Sequence, residues 1–140
     1  PQWSSDGRSI AFSTDRFWPG WDLCFFNLDS QKENCPLGGV ETYCRPRFSN
    51  DGKRLAYSYG AFESVDIYLR NLETNKDSRI TELPGREYDA AWSPDDRFIA
   101  FTNNGDSKKH FKLFVVNLED KKAQLLVETN ASIRFLSWAK

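Results

Sequence analysis

The chain has 140 residues, a formal net charge of −1 and a mean hydropathy of −0.64, with no apolar run near the ~20 residues a membrane-spanning helix needs. Balanced charge and a pI of about 5.9 argue against a general binder of nucleic acid or anionic membrane, which needs a clustered basic excess. Aromatic residues make up 15 % of the chain, too many for a disordered segment, so the chain folds.

The first element is a short strand through Trp3, closed by a turn at Asp6-Gly7. Glycine there supplies the positive φ of a tight hairpin. A second strand, Ile10-Ala-Phe12, a loop over residues 13–21 and a third strand from Leu23 to Phe26 follow. The turn Asn27-Leu-Asp-Ser30 then leads to a weaker fourth strand that carries Cys35. The same order returns from Pro46: Phe48, Asp51-Gly52, Leu55-Ala-Tyr57, Ile67 to Leu69, Asn71, and Arg79-Ile-Thr81. It returns again from Ala90: Trp92, Asp95-Asp96, Ile99-Ala-Phe101, Leu113 to Val116, Asn117, and Gln124 to Val127. Leu136-Ser-Trp138 restarts the unit.

The anchors Trp3, Phe48, Trp92 and Trp138 lie 45, 44 and 46 residues apart. The step from each of the first three anchors to Phe12, Tyr57 or Phe101 is 9 residues every time. All length variation falls in the loop between the second and third strands, which places that loop on the surface and the rest in packing. Short strands rich in aromatic and β-branched residues, punctuated by turn signals, indicate an all-β protein. A four-stranded unit of this length has the size of a β-propeller blade. The expected organisation is a propeller segment of three four-stranded blades (residues 1–45, 46–89 and 90–135) plus the first strand of a fourth (136–140).

The repeated Trp-Ser-x-Asp-Gly-Lys/Arg-x-Ile-Ala-Phe, followed by Asp-Leu/Ile and Asn-Leu, closely resembles the WD40-like TolB-type (PD40) repeat. The resemblance covers essentially the whole chain. It implies a protein-binding scaffold outside the bacterial cytoplasm, periplasmic or extracellular. The departures, Phe48 for tryptophan, Asp96 for glycine and Lys112 for aspartate, read as drift within a structural motif. Similar propellers also gate the active site of prolyl-oligopeptidase-type serine peptidases, whose catalytic domain is a separate unit, which supplies the alternative function.

Three blades do not close a ring, so two blade faces would be left bare. The expectation is a piece of a longer propeller, or a pair of copies. The chain opens on Pro1 and has no methionine, which also reads as an excised or processed piece.

Residues that recur in every unit read as structural. These are Trp3, Phe48, Trp92 and Trp138 in the core, and Asp6, Gly7, Asp51, Gly52 and Asp95 in turns. Function is expected in the variable loops, which in propellers share the channel face with the blade connections. Phe17, Trp18 and Trp21 in the first unit and Phe62 in the second are the candidate contacts for a protein partner, or else fold back over the blade edge. The loop from Asn103 to His110 reads as solvated. No nucleophile elbow, phosphate-binding glycine loop or multi-histidine metal centre is present, so no catalytic residue, metal or cofactor is expected. A hairpin around Ser30 sets Cys24 near Cys35, leaving both a disulfide and free thiols open, and Cys44 remains as the odd cysteine.

Overall fold

A computed structural model describes residues 1–17, 19–61, 63–105 and 110–139. Its strands are β1 (Gln2–Trp3), β2 (Ser9–Thr14), β3 (Asp22–Asn27), β4 (Lys32–Leu37), β5 (Thr42–Phe48), β6 (Arg54–Ala61), β7 (Ser64–Asn71), β8 (Asp77–Arg79), β9 (Glu87–Trp92), β10 (Phe98–Asn103), β11 (Phe111–Asn117) and β12 (Ala123–Thr129). They form three antiparallel four-stranded sheets in sequential order, β1 to β4, β5 to β8 and β9 to β12. The all-β fold of three propeller blades is therefore present. The sheets start earlier than the repeat phase at residues 46 and 90. The innermost strands run upstream of the anchor motif, to where Thr42 pairs with Gly60 and Glu87 with Asn103. Residues 132–139, which repeat the opening of the unit, have no sheet pairing.

The turn after each innermost strand is built by one repeated device. The hydroxyls of Ser4, Ser49 and Ser93 donate to Asp6, Asp51 and Asp95 at 2.6 Å, and each serine oxygen accepts the amide of Ser9, Arg54 or Phe98 at 2.9 Å. The serine hydroxyl, helped by the amides of Arg8 and Arg97, holds the Asp6 and Asp95 carboxyls below the usual carboxylate range. At the other turn, the Asn27, Asn71 and Asn117 side chains accept the amides of Ser30, Thr74 and Glu119.

The core lies between sheets. Ala11, Leu23 and Leu37 of the first sheet meet Phe48, Leu55 and Tyr57 of the second. Ala56, Ile67 and Leu69 of the second meet Trp92, Ile99 and Phe101 of the third. Each such leucine, isoleucine or phenylalanine side chain contributes about 1.5–3 kcal/mol when fully buried, and each alanine methyl less. The indole N–H of Trp92 donates to the Arg47 carbonyl at 2.9 Å, and that of Trp138 to the Ala91 carbonyl at 2.8 Å. Each anchor thus ties its unit to the preceding innermost strand. Phe48 has no such donor, and its backbone amide instead donates to the Gln2 side chain.

Two expectations are corrected here. Trp3 is 56 % exposed and Trp138 is also exposed, so neither lies in the core. An anchor is buried by the unit before it and by its own paired sheet; Trp3 lacks the first in this chain and Trp138 the second. The second correction concerns drift. Asp96 adopts φ 56°, matching Gly7 and Gly52 at 70°, and its buried carboxylate accepts the Asn50 amide (2.9 Å), the Asn50 side chain (2.7 Å) and the Asp51 amide (2.8 Å). It is a bond between blades. Lys112 lies opposite Glu128 across β11 and β12 at 3.7 Å, whereas Asp66 of the second unit holds Arg79 at 2.9 Å, so this position makes an ion pair to the fourth strand in both blades, with a different partner position in each.

The disulfide is formed. A register shift between Leu23 and Phe25 sets Cys24 against Cys35, with their Cα atoms 4.0 Å apart.

Asp96→Ala takes the acceptor from two half-buried backbone amides and a carboxamide of the second blade and places a β-carbon without a hydrogen-bonding group in the left-handed region. The expected loss is ~1–3 kcal/mol, read as a fall in the urea midpoint. Asp96→Gly, which removes the bonds but fits the backbone, should lose less.

Candidate functional site

The innermost strands β5 and β9 turn one edge toward the propeller axis. Each is broken by a register shift, near Cys44 to Arg47 in β5 and opposite Ala100 to Thr102 in β9. The residue three places before the anchor takes the left-handed conformation in each case: Arg45 at φ 56°, Asp89 at 56° and Phe135 at 58°. For a non-glycine residue this costs on the order of 1 kcal/mol or more, and a bulge of this kind re-aims its side chain. Arg, Asp and Phe share little chemistry, yet all three side chains line one groove of about 690 Å³.

Within it the Arg45 guanidinium sits 2.7 Å from the buried Asp89 carboxylate and 4.3 Å above the Tyr88 ring, tying the second blade to the third. The rim is set by the first blade connection. The Tyr43 amide donates to the Trp21 carbonyl at 2.8 Å, and Trp21 bridges Thr42. Gly20 permits this closeness, since a Cβ there would stand 2.3 Å from the carbonyl oxygens of Gly39 and Glu41.

Of the residues picked from the sequence, Trp21 lines the groove and is 44 % exposed. Phe17 is exposed but lies under its neighbour Arg16, 4.5 Å from ring centre to guanidinium, and does not line the groove. Trp18 and Phe62 lie outside the described residues, as does part of the loop between Asn103 and His110. Arg45, Tyr88, Asp89 and Phe135 were missed. Arg45, Asp89 and Phe135 stand three places before their anchors and Tyr88 four, in a stretch where consecutive units differ at nearly every position, so side-chain variation alone does not single them out.

The titratable groups here do not assemble into catalytic chemistry. Burial pushes the free Cys44 thiol up to about 11, so it is not a thiolate nucleophile at neutral pH. Cys24, Glu33 and Cys35 cluster, but the disulfide removes both thiolates that a metal ion would need. Glu87 is the unusual acid. It is fully buried, accepts the Thr81 hydroxyl and the Leu83 amide (3.2 Å), and desolvation raises its pKa to about 7. It holds the chain between β8 and β9 in place and does not line the groove.

No known family model matches the chain. Over 102 residues it is 30 % identical to the Tol-Pal system protein TolB of Francisella tularensis subsp. mediasiatica, a match that covers 72 % of this chain and 23 % of that protein. The chain thus spans about a quarter of the length of the curated relatives it matches. The crystal structure of TolB from Acinetobacter baumannii superposes with a TM-score of 0.75 at 16 % identity, over 98 % of this chain and 34 % of that one. The dipeptidyl peptidase 4 of Porphyromonas gingivalis gives a TM-score of 0.61 at 15 % identity, over 90 % and 25 %. The chain has the TolB-like β-propeller fold.

Folded Glu87 takes its proton near pH 7, against about 4.5 when exposed, so folding binds a proton between these values. Its contribution to stability is present at low pH and falls as pH rises from about 4.5 to about 7. Glu87→Gln should flatten that limb when urea midpoints are compared across this range.

Proposed function

We propose that the chain is a non-catalytic propeller module that binds a protein partner at the groove and its rim. The observation that carries this reading is the row of left-handed bulge positions, Arg45, Asp89 and Phe135. A costly backbone state recurs before three successive anchors while the side chain it presents changes. Two large exposed aromatics that line the groove, Trp21 and Phe135, supply anchors of the kind that dominate protein interfaces. The adjoining loops, with Phe17, Trp18 and Phe62, extend the proposed contact face.

We place the module in the periplasm. The likeness to a Tol-Pal system protein supports this, and so does the Cys24–Cys35 disulfide, which persists in an oxidising compartment. In the assembled molecule the bare end faces, with Trp3 and Leu28 at one side and Leu125 and Val127 at the other, are covered by further units of the repeat or by a second copy. The seat that Trp138 already takes on Ala91 favours further units. The peptidase-gate reading rests on fold likeness alone, and no feature of the groove favours it.

The test is affinity capture from periplasmic extract with the intact protein. Trp21→Ala combined with Phe135→Ala should reduce recovery of a specific partner by ~10-fold or more, whereas Arg97→Gln on the opposite rim should not. Equal recovery by all three proteins would remove the groove from the assignment.

A further inference from the structure

Three guanidinium groups, those of Arg45, Arg47 and Arg134, line the groove against a single carboxylate, Asp89. Arg45 is matched by Asp89 at 2.7 Å. Among the described residues neither Arg47 nor Arg134 has a carboxylate partner, and Arg47 donates only to the carbonyl of its neighbour Pro46, at 3.0 Å. The groove therefore holds two uncompensated positive charges in a chain whose net charge is −1. A concave, protein-walled site concentrates such a field and favours an anionic occupant.

The form of that occupant follows from the strand edge and the lining. The bulge at Arg45 and the missing amide of Pro46 interrupt the free edge of β5, so a partner cannot add there as a continuous β-strand and is read by side chains. The lining has no carboxamide, and its one carboxylate is already engaged, leaving few acceptors for the many hydroxyls of a sugar. Aromatic surface at Trp21 and Phe135 lies in the same groove. We infer that the groove takes an acidic peptide segment of the partner, with carboxylates on Arg47 and Arg134 and an apolar side chain against Phe135 or Trp21. This rests on the groove being the protein-binding surface.

The experiment is fluorescence anisotropy on the intact protein with a labelled Glu-Glu-Phe-Glu-Glu peptide, its all-glutamine counterpart and an oligouronate. The acidic peptide should bind at low ionic strength and weaken as salt is raised, with the glutamine peptide ~10-fold weaker or worse. The combined Arg47→Gln and Arg134→Gln variant should lose ~10-fold or more of the affinity for the acidic peptide, and Arg97→Gln should lose none. The comparison of peptides on the unaltered protein keeps the test valid even if a variant folds poorly. Equal binding of both peptides, no binding of the acidic one at low salt, undiminished binding by the double arginine variant, or preference for the oligouronate overturns the inference. If any of these occurs while Trp21→Ala with Phe135→Ala still abolishes partner capture, the acidic segment alone is refuted. If capture is also insensitive, the groove itself is.

Discussion

Face-to-face packing of neighbouring sheets is the constraint on which everything else depends. A four-stranded sheet has two faces, and an isolated blade of this size buries too little apolar surface to offset the entropy of ordering it. Stability comes from the junctions, where Leu23, Phe48 and Leu55 meet in one case and Ile67, Trp92 and Phe101 in the other. Hydrophobic contact alone would let one sheet slide over the next. The indole bonds of Trp92 and Trp138, the Gln2 bond to Phe48 and the Asn50–Asp96 contact fix the offset, and with it the position of every innermost strand.

That offset also makes the groove. Arg45 and Asp89 belong to different blades and reach each other only because the two innermost strands are held in step. The strained backbone at both residues is sustained by the ladders on either side of each bulge, which place more residues in fixed positions than the bulge disturbs. A rigid arc thus carries side chains that are free to differ between units, without any change in the sheets that display them.

The fold was readable because it is periodic. Spacing between Trp3, Phe48, Trp92 and Trp138 sets the unit, and the Ser-x-Asp and Asn-Leu turns mark its corners independently of tertiary context. What periodicity conceals is the exception. Asp96 looks like a tolerated substitution along the sequence, because its partner Asn50 lies 46 residues away in another unit. Arg45 and Phe135 give no local sign of a left-handed backbone, and the tolerance of aspartate for it at Asp89 is too common a feature to stand out, since the bulge arises only when the strand pairs beyond the anchor. Of the loop aromatics that the sequence singles out, Trp21 alone among the described residues lines the groove. The burial of Trp3 and Trp138 was overestimated for a related reason: recurrence says that a position is structural, not that its neighbour is present.

The Asn50–Asp96 contact has a consequence for how such a chain evolves. At the first junction the corresponding places hold Ser5 and Gly52, where a β-carbon would stand 2.4 Å from the serine oxygen. At the second they hold an amide and a carboxylate that bond across the gap. The two junctions thus meet by different contacts at the same place. Moving the third unit behind the first would leave Asn50 without its acceptor and set Asp96 against the shorter Ser5 side chain. Divergence of this sort numbers the blades, so that a chain built from near-copies still assembles in one order.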